Sequence, residues 1–410
     1  MEGHKTAKQK TIAANTAYTI GGALVLNGVL QLLVYPSLNA HYGAEKVGTV
    51  LYIMALVNIL GPSVGQALNN SRLILRRDMP VTNGDYDTAL LLFTLIGGAG
   101  AFIFSAAAAP GTFTAAGSVI SAAVLILLTV FRYYGDVEYR LSLNYRRYFI
   151  YYLLCGAGYA LGFLLFRLTG KWILIFLAGE ICALAYVFAR GSIFRNFFGR
   201  SECTRDVLLK GALLVLSYFV TNLTLNIDRL YLKNTLGGEA VTIYYVVSLI
   251  GKTLVLFIAP VNTVIISYLT REQARISRKR FIRFAAAGAA AAAVFFVLTI
   301  IATPLFIRIC YRDLLEASKP YISIVSLSQI LAMLSAYLFI IALTFTGERW
   351  QLFLQTLHLV LVIILIMVMT PGGGLYGFSM AVLIANLIRV LMVILLGILK
   401  GGTSCRQEKS

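Results

Sequence analysis

The sequence has few charged residues, and few of these are acidic. Aspartate, glutamate, lysine and arginine make up only 13% of the 410 residues, with 17 acids against 35 bases. A soluble domain carries roughly 25% charged residues, so this composition excludes an ordinary soluble enzyme or binding module. Hydrophobic residues make up 59% of the chain, and the mean hydropathy is +0.82. Both values are typical of a protein that crosses a membrane many times.

The signatures of several common chemistries are also missing. The sequence contains no Walker-type glycine loop, no GxSxG elbow and no histidine–cysteine cluster with metal-ligand spacing. None of its five cysteines forms a CxxC pair. We therefore expect neither an enzyme nor a cofactor. The net charge of +18 does not indicate nucleic acid as a partner, because the lysines and arginines lie in short segments between apolar blocks.

The apolar residues fall in blocks long enough to cross a bilayer, which takes about 20 residues per helix. They predict an all-α integral membrane protein with about twelve transmembrane helices. The apolar run after MEGHKTAKQK is too long for the core of a signal peptide, so we interpret it as the first span. The predicted spans are residues 13–35, 47–68, 88–108, 117–134, 149–166, 172–188, 207–230, 240–269, 284–309, 322–343, 352–369 and 375–399.

Charge distribution and a faint repeat predict the organisation of these spans. With a cytoplasmic N-terminus, most lysines and arginines fall on the cytoplasmic side, so we expect both termini there and the protein in the cytoplasmic membrane. HYGAEKVGTVLYIMAL resembles TLGGEAVTIYYVVSL, and each begins with a Gly-x-Glu corner. The repeat predicts two six-helix lobes around a central cavity. The predicted parts are a lobe at 1–189, a basic cytoplasmic linker at 190–206, a second lobe at 207–400 and a cytoplasmic tail at 401–410.

A polar stripe in the seventh span is the first candidate for a functional surface. Asn222, Asn226, Arg229 and Lys233 are spaced by three or four residues, so they share one face of a helix. Such a stripe is costly in hydrocarbon unless it faces protein or water. We therefore expect it to line an interior.

Cations inside the spans are candidates for substrate binding. Arg229, Lys252 and Arg389 could attract an anionic substrate such as a phosphate or diphosphate. The alternative for these residues is structural pairing with Asp228 or Glu180, or an extended side chain that reaches the membrane interface.

The acids and amides inside the spans leave similar alternatives. Asp228 and Glu180 could take up protons in a coupled transporter, or they could simply pair within the bundle. Asn27 and Gln31 share a face of the first span and could line the same cavity as the polar stripe. Amides in spans also serve as hydrogen-bonding links between helices. A lone His358 is typical of an interior histidine with satisfied hydrogen bonds.

Three passages carry a resemblance to a known family. The first contains Asn15, Pro36, Gly43, Glu45 and Gly48 in NTAYTIGGALVLNGVLQLLVYPSLNAHYGAEKVGTVLY. The second is GPSVGQALNNSRLILRRD, and the third is NIDRLYLKNTLGGEAVTIYY with its Asp-Arg pair. The chain resembles the polysaccharide flippases, the Wzx-like O-antigen and capsule transporters of the multidrug/oligosaccharidyl-lipid/polysaccharide exporter superfamily.

This resemblance implies a MATE-like fold and a transport function. The expected function is to flip a polyprenyl-diphosphate-linked oligosaccharide across the cytoplasmic membrane for surface polysaccharide biosynthesis. Basic side chains in the cavity would hold the diphosphate, and the resemblance carries over only Asp228 and Arg229 as functional residues, because these two match the family's Asp-Arg motif. The implied partners are the lipid-linked oligosaccharide, membrane lipids, and a polysaccharide polymerase with glycosyltransferases.

Three other functions stay open at this point. A MATE-type multidrug or cation antiporter would have the same fold, although the first span lacks the carboxylate of the drug-exporting branch. A scaffold for polysaccharide assembly would carry no substrate at all. A twelve-span sugar importer is the third alternative, but the loop NNSRLILRRDMPVTNGD lacks a convincing signature of that class.

Overall fold

The computed structural model describes the backbone of residues 2–76, 79–112, 116–199, 201–271, 278–343, 346 and 348–400. Within this part of the chain, side chains are described from residue 14 onward, except at 116, 255–271, 343, 348–349 and 351–352. The regular secondary structure of the described residues is helical throughout, with no strand. The all-α prediction is confirmed.

The described chain forms a succession of α-helices joined by short connections. Two π-helical segments, Val29–Val34 and Gly61–Gln66, interrupt the first two spans, and a 3₁₀ turn occupies Arg312–Leu314. The α-helices are α1 (Glu2–Gly28), α2 (Tyr35–Tyr42), α3 (Ala44–Leu60), α4 (Ala67–Leu75), α5 (Asn83–Ala108), α6 (Ala116–Gly135), α7 (Val137–Leu141), α8 (Tyr145–Thr169), α9 (Ile173–Arg190), α10 (Thr204–Leu236), α11 (Gly238–Arg271), α12 (Arg278–Cys310), α13 (Leu315–Leu343) and α14 (Glu348–Lys400).

Ten helical stretches of the described residues are long and apolar enough to cross a membrane. The protein is a multi-pass membrane protein. The last stretch, α14, has 53 residues and would measure about 80 Å as one helix, far more than the roughly 30 Å hydrocarbon core. Its backbone leaves the helical region at Gly374, which separates the predicted eleventh and twelfth spans. The ten stretches do not include α11 and count α14 once. Adding α11 and counting the two halves of α14 as two spans gives the predicted total of twelve.

Two glycine corners share one backbone geometry. Gly43 follows α2 with φ 77° and ψ 166°, and Gly237 follows α10 with φ 88° and ψ −178°. In both cases the next helix begins at the following residue. A side chain in this region of φ/ψ space costs about 1–3 kcal/mol, which explains glycine at both positions. The repeat predicted from the two Gly-x-Glu corners therefore has a common local structure.

The contacts divide the chain into two compact units, Met1–Gly238 and Glu239–Ser410. In the first unit, α10 packs against α3, α4 and α5. The sequence assigns α10 to the second lobe, from residue 207, and that lobe boundary stays a prediction. In the second unit, α12, α13 and α14 enclose a core that includes Phe281, Leu338 and Val393.

Glycines bring α8 and α9 of the first unit very close together. A β-carbon on Gly158 would lie 2.7 Å from the Ala178 carbonyl oxygen, and one on Gly162 would lie 2.6 Å from the Leu174 carbonyl oxygen. These glycines are spaced as in the GxxxG motif of membrane helix pairs. The rigid pair they form carries Glu180 on α9.

The predicted linker is anchored to the first unit by side chains at the beginning of α5 and on α7. The Asn83 Nδ2 donates to the Ser192 and Arg195 carbonyl oxygens, both at 2.9 Å. Asp85 accepts from the backbone and the hydroxyl of Ser201, at 2.9 and 2.7 Å. Glu138 accepts from the Ser192 backbone N–H at 2.9 Å. The described residues of the linker, 190–199 and 201–206, are therefore packed into this unit.

Candidate functional site

The polar stripe of α10 lies along the second span of the same unit. The Asn222 Nδ2 donates to the Ser63 Oγ at 3.2 Å, in the π-helical segment Gly61–Gln66. Further along α10, the Tyr218 hydroxyl accepts a hydrogen bond from Asn70 on α4. We call this line of contacts, completed by the pair Lys233–Glu45, the α10 seam. The prediction that Asn222 faces protein rather than lipid agrees with these contacts.

Glycines and an ion pair hold the end of the α10 seam that lies at the two glycine corners. The Lys233 Nζ lies 2.9 Å from the Glu45 Oε1, but the Glu45 side chain is 63% exposed. An exposed pair of this kind contributes about 0–1 kcal/mol. A β-carbon on Gly48 would overlap the backbone of Gly238, and one on Gly238 would overlap the carbonyl oxygen of Glu45. The close approach of α3 to the corner that follows α10 therefore depends on the glycines more than on the ion pair.

A cleft of about 370 Å³ opens beside this end of the seam. Its lining includes Thr49 on α3, Lys233 and Asn234 on α10, and the turn that follows α5. Among the described residues of that lining, Lys233 is the only charged one, and it is paired with Glu45. The cleft therefore lies beside an ion pair, at the predicted outer face.

Asp228 and Arg229 are placed differently, although they are neighbours in sequence. Asp228 is buried, and its Oδ1 accepts from the Arg229 backbone N–H at 2.9 Å. The Arg229 side chain is half-buried, and its charge acts on Tyr35 at the beginning of α2. Asn226 is buried one turn earlier and donates to the Asn222 carbonyl oxygen at 2.9 Å. The structure thus brings Arg229 to the end of the first span.

The two candidates in the first span are half-buried side chains near its helical irregularity. Asn27 donates to the Ala23 carbonyl oxygen of its own helix at 2.8 Å. Gln31 lies inside the π-helical segment Val29–Val34. π-Helical turns occur often at functional sites, because they redirect side chains without breaking the helix. The cavity role of both residues stays a prediction.

Glu180 lies in a buried ion pair of the first unit. Its Oε2 is 2.5 Å from the Arg132 Nε, and its Oε1 accepts from the Tyr159 hydroxyl at 3.0 Å. The Glu180 and Arg132 side chains are only 3% and 4% exposed. The sequence left two roles open for Glu180, and these contacts correspond to the second of them, pairing within the bundle. A role in ion coupling stays a prediction.

The second unit contains the other two cations. Lys252 is half-buried on α11, next to Gly251, where a β-carbon would overlap the Gln329 side chain of α13. Arg389 is half-buried on α14, and its charge acts on His358. Both cations therefore lie inside a packed helical unit and not at a loop.

His358 is an interior histidine with satisfied hydrogen bonds, as predicted. Asn386 donates through its Nδ2 to Ser328, at 2.9 Å to the hydroxyl and 3.2 Å to the carbonyl oxygen. The remaining Asn386 Oδ1 lies 3.2 Å from the His358 Nε2 and can only accept. The network therefore assigns the Nε2 of His358 as the donor.

Comparisons with known proteins place this arrangement in a structural class. No family model matches the sequence, and no curated protein matches it. Solved structures do match. The lipid II flippase MurJ, in an inward closed conformation, is 14% identical with a TM-score of 0.69, over 93% of this chain and 87% of that chain. The MATE multidrug transporter DinF-BH, solved with a bound ligand, is 14% identical with a TM-score of 0.63, over 95% of both chains.

The chain has the fold shared by MATE transporters and MurJ. An inward-facing multidrug resistance MATE transporter of the MOP superfamily matches as well, at 16% identity and a TM-score of 0.58 over 94% of each chain. The MATE-like fold predicted from the resemblance is confirmed. Identities this low establish the fold alone.

Two arginines that were not among the candidate site residues are buried in the first unit. Arg72 and Arg132, which the charge distribution counts on the predicted cytoplasmic side, are 8% and 4% exposed. The Arg72 guanidinium donates to the Tyr134 hydroxyl and the Asn83 Oδ1, and it lies 5.3 Å from the Tyr86 ring centroid. The sequence did contain a sign of a buried arginine: acidic residues stand at the beginning of the apolar run in NGDYDTALL, and an acid there can attract an arginine into the bundle.

Metal binding has no support in the part of the chain that the structure describes. No group of three or more histidine, cysteine, aspartate or glutamate side chains there could hold a metal ion. The cysteines in this part, Cys155, Cys182, Cys203 and Cys310, are free thiols.

Proposed function

We propose that this protein flips a polyprenyl-diphosphate-linked oligosaccharide across the cytoplasmic membrane, for the biosynthesis of a surface polysaccharide such as O-antigen. One observation carries the proposal: Arg229, Lys252 and Arg389 are half-buried inside helices of spanning length. A cation at membrane depth is costly unless it is paired or hydrated, and such residues mark substrate paths. Lysine and arginine are also the residues that bind phosphate groups.

The neutral polar residues extend this proposal to the sugar. Asn222, Asn226, Asn27 and Gln31 are amides, each with two N–H donors and one carbonyl acceptor. Asn27 and Asn226 use one donor within their own helices. In the part of the chain that the structure describes, Asn27 and Asn226 each keep a second N–H, which can bind a hydroxyl group of a saccharide. The fold shared with the lipid II flippase MurJ is compatible with a lipid-linked substrate.

A multidrug antiporter is the second candidate. The observation that favours it is the fold shared with DinF-BH, a MATE multidrug transporter. Asp228, a buried acid on α10, could then serve as the ion-coupling group. Against it, the described part of the first span, from Ala14 to Tyr42, contains no aspartate or glutamate. A cationic drug near Asp228 would also be repelled by Arg229, the half-buried cation that follows it on α10.

The remaining parts of the proposal concern the surroundings of the protein. We place it in the cytoplasmic membrane with both termini in the cytoplasm, because most lysines and arginines then lie inside. Its partners would be the lipid-linked oligosaccharide, membrane lipids, and a polysaccharide polymerase with glycosyltransferases.

A transport assay with two substrates tests the proposal. Purified protein is reconstituted into liposomes that carry a short polyprenyl-diphosphate sugar in the outer leaflet, and protection of the sugar from an added enzyme is followed over time. Parallel liposomes are tested for transport of ethidium, a fluorescent cationic dye, under a proton gradient and a sodium gradient. We expect the sugar to become protected and ethidium not to move. Transport of ethidium without protection of the sugar would establish the antiporter, and transport of neither would favour an assembly scaffold.

A further inference from the structure

Asp87 is a buried acid without a hydrogen-bond partner in the part of the chain that the structure describes. It lies on α5, one helical turn after Asn83, and its side chain is 0% exposed. Neither of its carboxylate oxygens has a hydrogen-bond partner. A buried carboxylate without donors is costly as an anion, whereas the neutral acid form is much less so. The surroundings of Asp87 therefore favour the form that carries a proton.

Arg72 is close to Asp87 but is bonded elsewhere. Its charge acts on Asp87, yet its terminal nitrogens donate to the Tyr134 hydroxyl and the Asn83 Oδ1, each at 2.5 Å. The third guanidinium nitrogen, Nε, has no hydrogen-bond partner. The Arg72 guanidinium therefore donates its hydrogen bonds to two neutral oxygen atoms, although the carboxyl group of Asp87 is close enough for its charge to act on. This arrangement is stable only as long as that carboxyl group is neutral.

Asn83 connects this cluster to the linker between the predicted lobes. Its Oδ1 accepts from Arg72, and its Nδ2 donates to the carbonyl oxygens of Ser192 and Arg195. A cleft of about 360 Å³, lined by Arg72 together with Glu138 and Ser192, opens beside the same contacts. The cleft gives a proton a route between this cluster and water at the predicted cytoplasmic face.

We propose that Asp87 is a proton-binding site that controls docking of the linker. With the proton bound, Arg72 stays on Asn83 and the linker is docked, as in this structure. When the O–H bond of the Asp87 carboxyl breaks, the proton passes to water in the cleft and the carboxylate draws the Arg72 guanidinium to itself. Asn83 then loses its charged donor, and its hold on the linker weakens. Docking is therefore strongest at low pH and is lost as the pH rises.

The other ionisable groups around Asp87 do not replace it in this role. The helical elements packed against α5 are α3, the adjoining π-helical segment, α4, α6 and α10. Asp85, on α5 itself, is saturated by donors from Thr82, Ser201 and Thr204. These elements and α5 itself place four further ionisable groups near the cluster: Arg72 of α4, Tyr134 of α6, Tyr86 of α5, and Cys203 just before α10. Lys210 of α10 is directed elsewhere, because its Nζ lies 3.8 Å from the Met79 Sδ.

The test measures the proton and the linker separately, and it holds whichever substrate is carried. Infrared difference spectra of the purified protein between neutral and alkaline buffer, a range in which ordinary carboxyl groups stay ionised, should contain the carbonyl band of a protonated carboxylic acid. That band should disappear in Asp87→Asn. Hydrogen–deuterium exchange of the 190–206 peptides, corrected for intrinsic rates, should be about tenfold or more faster in wild type at alkaline pH, the effect of losing a hydrogen bond to a charged group.

Two variants decide the outcome. Asp87→Asn is a permanently neutral side chain, so its linker should stay protected at every pH. Asn83→Ala should exchange fast at every pH while it keeps the infrared band of Asp87. The proposal is overturned if the band persists in Asp87→Asn, if linker exchange in wild type does not depend on pH, or if exchange follows the sodium concentration instead of pH. Unchanged substrate flipping in either variant would leave the proposed function intact.

Discussion

Glu180→Gln should lower the free energy of unfolding of the first unit by about 3–5 kcal/mol, the usual cost of removing one partner of a buried ion pair. The reason is that Arg132 would keep its charge while 4% exposed, with no carboxylate beside it. Tyr159 would still have an amide oxygen to donate to, so the loss is mainly electrostatic. Thermal unfolding of the purified protein in detergent, followed by near-ultraviolet circular dichroism, measures the change.

The matched control removes both charges at once. Arg132→Met combined with Glu180→Leu should be near wild type in stability, because a buried ion pair can often be replaced by apolar side chains without loss. A stable Glu180→Gln protein that has lost only proton-dependent transport would contradict this account. It would establish Glu180 as the coupling residue that the sequence also allowed.

Arg229→Gln and Lys252→Gln should each slow flipping of the lipid-linked sugar by about tenfold or more. A hydrogen bond to a charged group contributes about 1.5–3 kcal/mol, and each 1.4 kcal/mol corresponds to a factor of ten. Both side chains are half-buried inside spanning helices, so water replaces them poorly as partners of a diphosphate. The initial rate of sugar protection in liposomes measures the effect.

Two further variants separate substrate binding from general damage. Arg308→Gln removes the charge of an exposed side chain in the last turn of α12, and it should flip at the wild-type rate. Arg229→Lys keeps a positive charge and should retain more activity than Arg229→Gln. The assigned site would be wrong if Arg308→Gln were as slow as Arg229→Gln and Lys252→Gln, or if Arg229→Gln and Lys252→Gln were as fast as wild type.

Features that depend on local backbone chemistry could be predicted from the sequence. The chain turns sharply at Gly43 and Gly237, as the Gly-x-Glu pattern predicts, because the backbone there adopts φ/ψ values that favour glycine. The break between the last two spans, at Gly374, followed from a glycine run between apolar blocks. The stripe on α10 could be predicted as well, because helical periodicity fixes which side chains share a face.

Features that depend on how each helix is rotated in the bundle could not be predicted. Arg72 and Arg132 stand near the ends of apolar runs, where an arginine either extends to the interface or turns inward. Only the packing of α4 on α5 and of α6 on α9 decides between these alternatives. Glu180 was ambiguous for the same reason, since an acid in a span is paired or unpaired according to its neighbours on other helices.

The measurement that tests the central claim most directly compares two lipid carriers in the same wild-type liposomes. One carrier joins the sugar to the polyprenyl chain through a diphosphate, and the other joins the same sugar through a monophosphate. Because the proposal assigns recognition to cations at membrane depth, it predicts that the diphosphate carrier becomes protected about tenfold faster, the value of one additional charged hydrogen bond. Equal rates for the two carriers, or protection of neither, would contradict it.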